Sequence, residues 1–597
     1  MKKRLMQLLC LALAIAMVLA CTGCKKGGTR VEMSDDVPGG NYTDVGGDAQ
    51  SDTNNSSGST DGDNSNVSSG TDSGNKGSGN GGGGTVIGGE KDEVVNKGKF
   101  KVHTRQFPIV TDGKLKLTVM WPHSGTADIA ASKAAKEFEE KFGIDIEWKS
   151  FTYSDIFVVM AAMLQSNNMP DIFFAGDVGV SRTNMMNYGK QGYFADLSNM
   201  IATWAPNANG IINKSKALKA VSYCDDGKLY GLPIYNASDA KSAYEERSLM
   251  INTDWLDELG LKSPTTVDEF YNVCKEFTEN DPDGNGKKDT YGFGIPLMTP
   301  QIWNPWGLGM SWYCSDSIDE KGKVHSGPLT ENFRAGIRFW NRMWSEGLWN
   351  TAMIGNSGTA LIQKTGIVSY PGLEGRLSEN ELSNWSIIPW PKGRAEDCGS
   401  FKPGASIVSN DVGGYPNGIL ISKKTASVEA CLRVIDYLYT PEGAMTMQYG
   451  VKGQAWTKIS DKYKLVKNYQ TKLAGNAITT NGWHVPINVG NYMLSKNQAE
   501  MNAAEKFTAR RGKEGYNVLI RQKYNNYQLR WFTTAEEQTE LNKLKNATGS
   551  IQWGYDAIQG KVNVETGWNN YVGQYKNYNA WKQIMQKSAD RMSKALS

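Results

Sequence analysis

The sequence predicts an α/β protein of two lobes with a mostly parallel, helix-covered sheet. Strand and helix patterns alternate along residues 114–174, and such alternation is typical of βαβ units and parallel sheets. The part of the chain with globular composition is roughly 500 residues long, which exceeds what one hydrophobic core usually serves. Two lobes are therefore expected.

Five alternating elements justify the parallel sheet. Residues 114–121 alternate polar and apolar side chains and then become fully apolar, as a strand entering a sheet does. Residues 127–142 have helical spacing and strong helix formers, and Gly143 predicts where that helix ends. A strand, a helix and a strand are then predicted at 144–148, 154–165 and 170–174.

Two loops of this predicted sheet carry polar side chains. In open α/β sheets, ligands bind at the carboxyl ends of the strands. His123 follows the first strand and Asp177 follows the third, so both are predicted to contact a ligand.

The second half of the chain adds one strand pattern and several helices. Residues 248–252 are apolar and strand-like, and residues 255–261 predict a short helix. A further helix opens at 264–270, where Thr265 or Thr266 is the N-cap and acidic residues occupy the first turn. The last ~130 residues are mostly helical by pattern and end in a helix at 580–596.

The N-terminus is a targeting segment. Residues 1–24 combine basic residues at positions 2–4 with an apolar run at 8–20, which is too short to span a membrane comfortably. The small residues Thr22 and Gly23 before Cys24 resemble the lipobox of bacterial lipoproteins, in which the cysteine receives a diacylglycerol. We therefore predict lipidation of Cys24. Cys21 is a weaker candidate for the lipidated residue. An ordinary secretory signal peptide and an uncleaved membrane anchor are the alternatives to a lipoprotein signal.

Residues 25–93 are predicted to be a disordered tether. They consist of Gly, Ser, Asp, Asn and Thr with almost no aliphatic side chains, so they bury too little apolar surface to offset the entropy of ordering. A Gly-rich coil of ~70 residues has a root-mean-square span of roughly 45 Å, enough to hold a domain clear of lipid headgroups.

Composition narrows the function classes. The chain carries 65 Lys and Arg against 62 Asp and Glu, with no strongly basic block beyond the N-terminus, so binding of nucleic acid is not indicated. Its four histidines lack the spacing of a zinc site, and we find neither a nucleophile elbow nor a phosphate-binding loop. We therefore do not predict an enzyme. A glycosidase with two catalytic carboxylates is the alternative that the sequence leaves open. The cysteine spacing predicts no disulfide framework.

The segment 281–290 has the spacing of a calcium-binding loop. Oxygen-bearing side chains occupy loop positions 1, 3, 5 and 9, Gly286 occupies position 6, and a main-chain carbonyl is available at position 7. Position 12 is Gly292 rather than the bidentate Glu of a sensor, which favours a structural Ca²⁺ site over a switch. A turn without metal is the alternative. The predicted ligands are Asp281, Asp283, Asn285, Lys287 and Asp289.

Aromatic and polar residues in loop-like stretches are the remaining ligand candidates. The stretch QIWNPWGLGMSW has no helical periodicity, and its three tryptophans suggest a stacking wall for an apolar sugar face. Packing of these rings under loops is the alternative. The candidates are Tyr235, Trp303, Trp306 and Trp312, with Tyr370, Asp411, Tyr415 and Trp456 as weaker ones.

Several phrases resemble a known family. Residues 226–233 (DGKLYGLP), the stretch INTDWLDELGLKSPTTVDEF from Ile251, and the segment from Ile419 to Trp456 are similar to sugar-type (family 1) extracellular solute-binding lipoproteins of Gram-positive ABC importers. The likeness covers roughly residues 112–597 and is specific mainly through the order of the motifs. It implies a periplasmic-binding-protein-like (type II) fold with a hinge, and binding proteins of this kind do carry a calcium loop.

The resemblance also implies how the chain is divided and what it does. We expect an N-terminal lobe of residues 112–245 plus 390–450 and a C-terminal lobe of 246–389 plus 451–597. We expect a monomer, lipid-anchored at the extracellular face of the cell membrane and touching it only through the lipid. Its ligand would be a carbohydrate, more specifically an oligosaccharide, which it would deliver to the permease subunits of an ABC importer. A peptide or acidic saccharide as ligand, a surface glycoside hydrolase, and an adhesin or sensor partner are the alternatives.

Overall fold

The computed structural model of the protein describes residues 92–123, 129–152, 155–176, 180–214, 216–235, 249–295, 299–310, 316–356, 358–369, 373, 376–406, 415–467, 469, 473, 475–479, 485–487, 489–494, 501, 506–507, 510, 520–521 and 529–596. All of them fall within one compact unit, Gly46–Ser597. The predicted signal segment 1–24 with Cys24, and residues 25–91 of the predicted tether, lie outside the described residues.

The described strands form several sheets. Their bounds are β1 (Val94–Asn96), β2 (Lys101–His103), β3 (Val110–Thr111), β4 (Lys116–His123), β5 (Asp145–Thr152), β6 (Ile172–Phe174), β7 (Gly231–Ile234), β8 (Leu249–Asn252), β9 (Tyr291–Gly294), β10 (Asp316–Ile318), β11 (Val324–Ser326), β12 (Thr365–Val368), β13 (Trp385–Ile388), β14 (Ala405–Ser406), β15 (Tyr415–Ile421), β16 (Trp456–Ile459), β17 (Lys462–Leu465) and β18 (Ile520–Arg521).

The described α-helices lie between and after these strands. Their bounds are α1 (Lys133–Phe142), α2 (Ile156–Ser166), α3 (Arg182–Lys190), α4 (Ile201–Trp204), α5 (Pro206–Ile212), α6 (Lys216–Ser222), α7 (Thr253–Glu258), α8 (Val267–Glu279), α9 (Glu331–Ser345), α10 (Thr359–Gln363), α11 (Glu379–Ser383), α12 (Ala395–Cys398), α13 (Val428–Leu438), α14 (Pro441–Tyr449), α15 (Ala535–Lys543), α16 (Ile551–Ile558), α17 (Val564–Gly573) and α18 (Tyr578–Leu596). Short 3₁₀ helices include Pro300–Trp306 and Leu529–Phe532.

The first large sheet has five strands in the order β5-β4-β6-β15-β7. β4 runs parallel to β5 and β6, whereas β15 runs antiparallel to both of its neighbours, β6 and β7. Side chains alternate between the two faces: Ile172 and Phe174 enter one core cluster, and Phe173 enters another on the opposite face. The sheet is therefore covered on both faces, as predicted for a βαβ architecture.

The second large sheet has four strands in the order β13-β8-β12-β9. β12 is parallel to β9, and β8 is the reversed strand, antiparallel to both β12 and β13. Ile251 and Ile367 face one core cluster, while Met250 and Val368 face another. Each large sheet thus has its own pair of cores, which agrees with the predicted α/β protein of two lobes.

A three-stranded sheet precedes the predicted globular part. β1, β2 and β3 are antiparallel neighbours, and Val102 and Val110 are buried in the core cluster of the first large sheet. Lys97 forms an ion pair with Glu429 of α13 at 2.6 Å. Residues that pack in the core of the first lobe therefore precede residue 112, the expected start of that lobe.

Helix ends follow the local capping chemistry. Ser132 caps α1 by accepting a hydrogen bond from the Ala135 N–H, and Gly143 ends α1 in the left-handed conformation. The predicted stop at Gly143 is confirmed, but the helix begins at residue 133 rather than 127. At α8, Thr266 is the N-cap and forms a reciprocal capping box with Glu269, which decides between the two threonines left open by the sequence.

The C-terminal segments divide between the two main cores. Trp581 and Met585 of α18, together with Trp456 and Leu529, pack in the core cluster of the first sheet. Residues of α16 and α17 pack instead in the cluster of the second sheet, and so do Trp390, Cys398 and Phe401. The lobe boundaries expected near residues 389 and 450 stay a prediction.

None of the helices in the described part of the chain is long and apolar enough to cross a membrane.

Candidate functional site

The ends of the strands define one edge on each large sheet. In the first sheet, β4, β5, β6 and β7 end at the edge where β15 begins. In the second, β9, β12 and β13 end at the edge where β8 begins. The chain therefore passes from one edge to the other twice, after β7 and between β13 and β15. Because ligands of open α/β sheets bind beyond the carboxyl ends of the strands, these two edges form the candidate site.

Several predicted ligand residues belong to this edge region by sequence position. The backbone of His123 ends β4, and its side chain is outside what the structure describes. Four further candidates, Asp177, Trp312, Tyr370 and Asp411, lie outside the described residues. Their ligand roles stay predictions.

Tyr235 lies at the edge, directly after β7. Its side chain is half-buried, and its N–H donates to the carbonyl oxygen of Pro486 at 2.8 Å. The Lys214 ammonium lies 5.3 Å from the centre of its ring. Burial, and to a lesser degree the neighbouring Tyr492, raise the pKa of the Tyr235 hydroxyl. Tyr235 therefore stays a neutral hydroxyl with an aromatic face at this position.

The predicted wall of Trp303 and Trp306 requires correction. The segment is the 3₁₀ helix Pro300–Trp306 rather than a loop, so the two rings, three residues apart, share one face. Trp303 is 0% and Trp306 1% exposed, and they pack on α9, with the Trp303 and Phe333 ring centres 4.2 Å apart. A ring without exposed surface cannot stack on a ligand, so in this conformation both tryptophans are core residues.

Close packing explains why these tryptophans are buried. The opposite residue on α9 is Gly336, and a β-carbon there would lie 2.9 Å from Trp306 Cε3 and 3.0 Å from Trp303 Cε3. The absence of a side chain at Gly336 thus lets both rings approach the helix. Gly307 ends the 3₁₀ helix with a φ of 72°, a conformation that favours glycine.

Trp456 is also a core residue rather than a ligand contact. It opens β16, is fully buried, and its indole N–H donates to the Gly450 carbonyl at 2.6 Å. Its ring meets Tyr463 of β17 edge to face at 5.3 Å. Because Trp456 has no exposed surface, it cannot stack on a ligand in this conformation, and its predicted role as a ligand contact is not supported.

A pair of aromatic residues, one of which carries no local sequence signal for a ligand contact, lies at the edge of the first sheet. Tyr415, the first residue of β15, and Trp531, in the 3₁₀ helix Leu529–Phe532, are both half-buried. Their ring centres are 6.0 Å apart with an angle of 69° between the planes. Tyr415 is paired in register with Ile234, which precedes Tyr235. Trp531 was not singled out because only tertiary structure brings it to the edge; the one local signal is its place just before the Thr534 N-cap of α15.

The predicted calcium loop folds as a tight turn. Asp281, Gly284 and Gly286 have positive φ values, which coil the backbone so that side chains converge. Asp281 accepts hydrogen bonds from the N–H groups of Asn285 and Gly286, at 3.3 and 2.8 Å. The Asn285 amide donates to Asp283 at 2.8 Å and to Asp289 at 3.2 Å.

The acidic side chains of this loop differ in their electrostatic surroundings, so their pKa values shift in opposite directions. Partial burial and the neighbouring Asp281 raise the pKa of Asp283, as expected for acids that share a small volume. Lys364, 2.7 Å away, lowers the pKa of Asp289. Within the part of the chain that the structure describes, no group of three or more His, Cys, Asp or Glu side chains is arranged to hold a metal ion. The donor set nonetheless suits a hard cation, because four oxygen-bearing side chains lie on one loop.

Comparison with known proteins gives a consistent result. The sequence profile of bacterial extracellular solute-binding proteins matches residues 124–445. Lipoprotein LipO of Bacillus subtilis is 26% identical over an alignment that covers 57% of this chain and 66% of LipO. The fructooligosaccharide ABC transporter substrate-binding protein FusA of Streptococcus pneumoniae is 23% identical, with 65% of this chain and 70% of FusA covered. The chain thus spans about two thirds of these relatives' length.

Solved structures show the same fold. An extracellular solute-binding protein of Bifidobacterium longum subsp. infantis has a TM-score of 0.65 and 22% identity, covering 81% of this chain and 99% of that one. An EF-hand mutant of S. pneumoniae FusA in complex with fructo-nystose has a TM-score of 0.61 and 19% identity, covering 80% and 99%. The alginate-binding protein AlgQ2 without calcium ion has a TM-score of 0.57 and 18% identity, covering 81% and 99%. The predicted two-lobed, periplasmic-binding-protein-like fold is confirmed.

Proposed function

This chain belongs to the bacterial extracellular solute-binding proteins, and from that membership we propose that it captures an oligosaccharide and delivers it to an ABC importer. The observation that carries the choice of ligand is the aromatic surface at the edge of the first sheet, where Tyr235, Tyr415 and Trp531 are half-buried. Sugars present apolar ring faces that stack on aromatic side chains, and their hydroxyls bond to polar groups nearby. Two similar proteins, FusA and AlgQ2, are named for fructooligosaccharide and alginate.

Binding requires no covalent step. Each lobe has its own core, so the two can move relative to one another about the segments that join them. A ligand that contacts both lobes only in the closed form shifts the population towards that form. The family is one of binding proteins, and the closed, ligand-loaded form is what permease subunits would recognise.

The location follows from the N-terminus. Lipidation of Cys24 would anchor a monomer at the extracellular face of the cell membrane, with residues 25–93 as the tether. Extracellular family membership and a relative named as a lipoprotein support this. Mass spectrometry of the mature protein should find diacylglyceryl-Cys24 as the first residue. A mature N-terminus at Cys21, or an unlipidated product cleaved elsewhere, would contradict the anchor.

A structural Ca²⁺ ion in the loop 281–290 is part of the proposal. Asp281, Asp283, Asn285 and Asp289 would bind it through side-chain oxygens and Lys287 through its carbonyl. One similar structure is an EF-hand mutant and another is described as without calcium ion, which supports a cation in this family of folds. The ion would stabilise the loop between α8 and β9 and take no part in capture of the sugar.

A melting-shift screen tests the choice of ligand. Binding to the native state raises the melting temperature by mass action, so neutral oligosaccharides, acidic oligosaccharides and peptides can be compared at equal concentration. We expect a shift with an oligosaccharide and none with peptides. Chromatography of the incubated sugars should show them intact. Shortened products would favour the glycoside hydrolase instead, and a shift with peptides alone would replace the carbohydrate ligand.

A further inference from the structure

We infer that Tyr415 and Trp531 form an aromatic corner that stacks one sugar ring of the bound oligosaccharide. This rests on the proposed function and assigns its stacking residues. The two rings are 6.0 Å apart and 69° from parallel, so together they line two sides of a near right angle. Both side chains retain exposed surface, unlike the fully buried Trp303 and Trp306.

The backbone of β15 fixes the position of Tyr415. The register of β15 against β7 shifts between Tyr415 and Ile419, which marks a bulge. Within it Asn417 adopts a φ of 58°, and its side-chain amide donates to the Val180 carbonyl at 2.9 Å. Bulges re-aim side chains at the ends of strands, and a non-glycine residue in this conformation is maintained only where its surroundings hold it.

The 3₁₀ helix Leu529–Phe532 fixes the position of Trp531. Leu529 and Phe532 are buried on either side of it, at 0% and 3% exposure. Both of their carbonyls accept hydrogen bonds from α18: Leu529 from the Ser588 hydroxyl, and Phe532 from Arg591 Nε at 2.7 Å. Trp531 is therefore a half-exposed ring on a turn whose neighbours are held in the core.

Arg182 joins this turn to the edge of the first sheet. It is the first residue of α3, which follows β6. Its guanidinium donates to the Trp531 carbonyl at 3.3 Å and to the Tyr223 carbonyl at 3.0 Å, and pairs with Asp225 at 2.8 Å. These contacts hold Trp531 beside the carboxyl end of the sheet, where ligands of such folds bind.

The geometry fits one class of ligand. A ring with an apolar face and a narrow edge can lie on one aromatic side chain while its edge meets the other, and pyranose and furanose rings have this shape. Aromatic residues held in one orientation lose little entropy on binding, so the corner is preorganised. Trp531 lies outside the family-matched residues 124–445. The corner therefore includes one residue beyond the matched region.

Substitutions of Trp531 test the corner. The protein is titrated with the saccharide that gives the largest melting shift in a set containing kestose and an alginate oligosaccharide. We expect Trp531→Ala and Tyr415→Ala each to weaken binding at least tenfold, and Trp531→Phe, which keeps an aromatic face, to weaken it much less. The matched control is Trp344→Ala, because Trp344 is also half-buried with an edge-to-face partner, Trp349, at 5.8 Å.

The outcomes separate this inference from the proposed function. If wild type binds a saccharide and Trp531→Ala binds it equally well, the corner is wrong and the proposed function stands. If wild type binds no saccharide, both the aromatic corner and the proposed function are wrong. Should Trp531→Ala not fold, oxidative footprinting of the wild-type protein replaces it. Saturating saccharide should then protect Trp531 but not Trp344 from hydroxyl radicals, and equal oxidation of Trp531 with and without saccharide would overturn the corner.

Discussion

Burial separates the tryptophans of this protein into two groups with different physical roles. Trp303, Trp306, Trp340 and Trp456 are among the largest fully buried side chains and supply core packing. Trp531 is only half-buried and lies where the first sheet ends. The same residue type is therefore fully buried in the core in one place and keeps exposed surface in the other.

Truncation of a buried tryptophan should cost stability rather than affinity. Trp306→Ala removes a fully buried ring next to Phe339 and Trp340, and we expect it to lower the free energy of unfolding by about 3–5 kcal/mol. Denaturant unfolding measures this, with Trp344→Ala as the half-buried control expected to lose less. A loss below about 1 kcal/mol at Trp306, accompanied by weaker sugar binding, would restore the predicted wall.

The sequence could not reveal the burial of Trp303 and Trp306. Pro305 and the glycines at 307 and 309 predict a loop, yet a 3₁₀ helix tolerates Pro305, and Gly307 ends it. The decisive contact is with Gly336 on α9, thirty residues away, which lets the rings approach. Local composition carries no information about that partner, so tertiary packing overrode the local pattern.

Among the elements, those with local chemical signals were predictable. The two threonines followed by acidic residues predicted the start of α8 to within one residue, and Gly143 predicted the end of α1. The start of α1 was placed too early, because the helix-forming pattern extends upstream of Ser132, whose hydroxyl caps the helix. The strand pattern predicted that the candidate site lies at the carboxyl ends of the strands. It did not predict Trp531, because a tertiary contact, the hydrogen bond from Arg182 to the Trp531 carbonyl, connects that residue to the site.

The contact between α9 and α17 should depend on pH. Arg338 and Arg334 bind Glu565 and lower the pKa of its carboxyl group to about 2. Because the folded-state pKa lies below the usual value, the stabilisation is complete above about pH 4.5 and is lost as pH falls towards 2. Glu565→Gln should cost less than about 1 kcal/mol at pH 7, since Glu565 is 53% exposed.

Denaturant unfolding of wild type and Glu565→Gln at several pH values measures this difference. The gap between the two should narrow between pH 5 and pH 2. Glu258→Gln, at an exposed position on α7 outside this contact, is the control for loss of one surface carboxylate. A gap that stays constant with pH would mean that the arginines do not act through the charge of Glu565.

The loop between α8 and β9 should respond to removal of calcium. If Asp281, Asp283, Asn285 and Asp289 bind Ca²⁺, a concentration tenfold above the dissociation constant stabilises the protein by about 1.4 kcal/mol. A chelator, or Asp281→Asn, should therefore lower the melting temperature without changing which sugar binds. Asp257→Asn, exposed on α7, is the matched control. An unchanged melting temperature together with undetectable Ca²⁺ binding would leave the loop as a turn held by Asn285 and Lys364.

At the scale of the whole molecule, two sheets with separate cores are joined by chain segments that run between the edges where their parallel strands end. Sequence length and the alternation of elements predicted this architecture, because both follow from how much surface a core can bury. The C-terminal helix α18 was expected in the C-terminal lobe with the rest of residues 451–597, whereas Trp581 and Met585 pack in the first core, because an amphipathic pattern does not say which core a helix covers.

Calorimetric titration of the unlipidated mature chain with oligosaccharides tests the central claim most directly. We expect saturable heat with a stoichiometry of one sugar per chain for at least one oligosaccharide, and no further heat once the site is filled. Absence of heat with every saccharide at millimolar concentration would contradict capture of a carbohydrate. Heat that continues after saturation, as product accumulates, would contradict a binding protein and indicate hydrolysis.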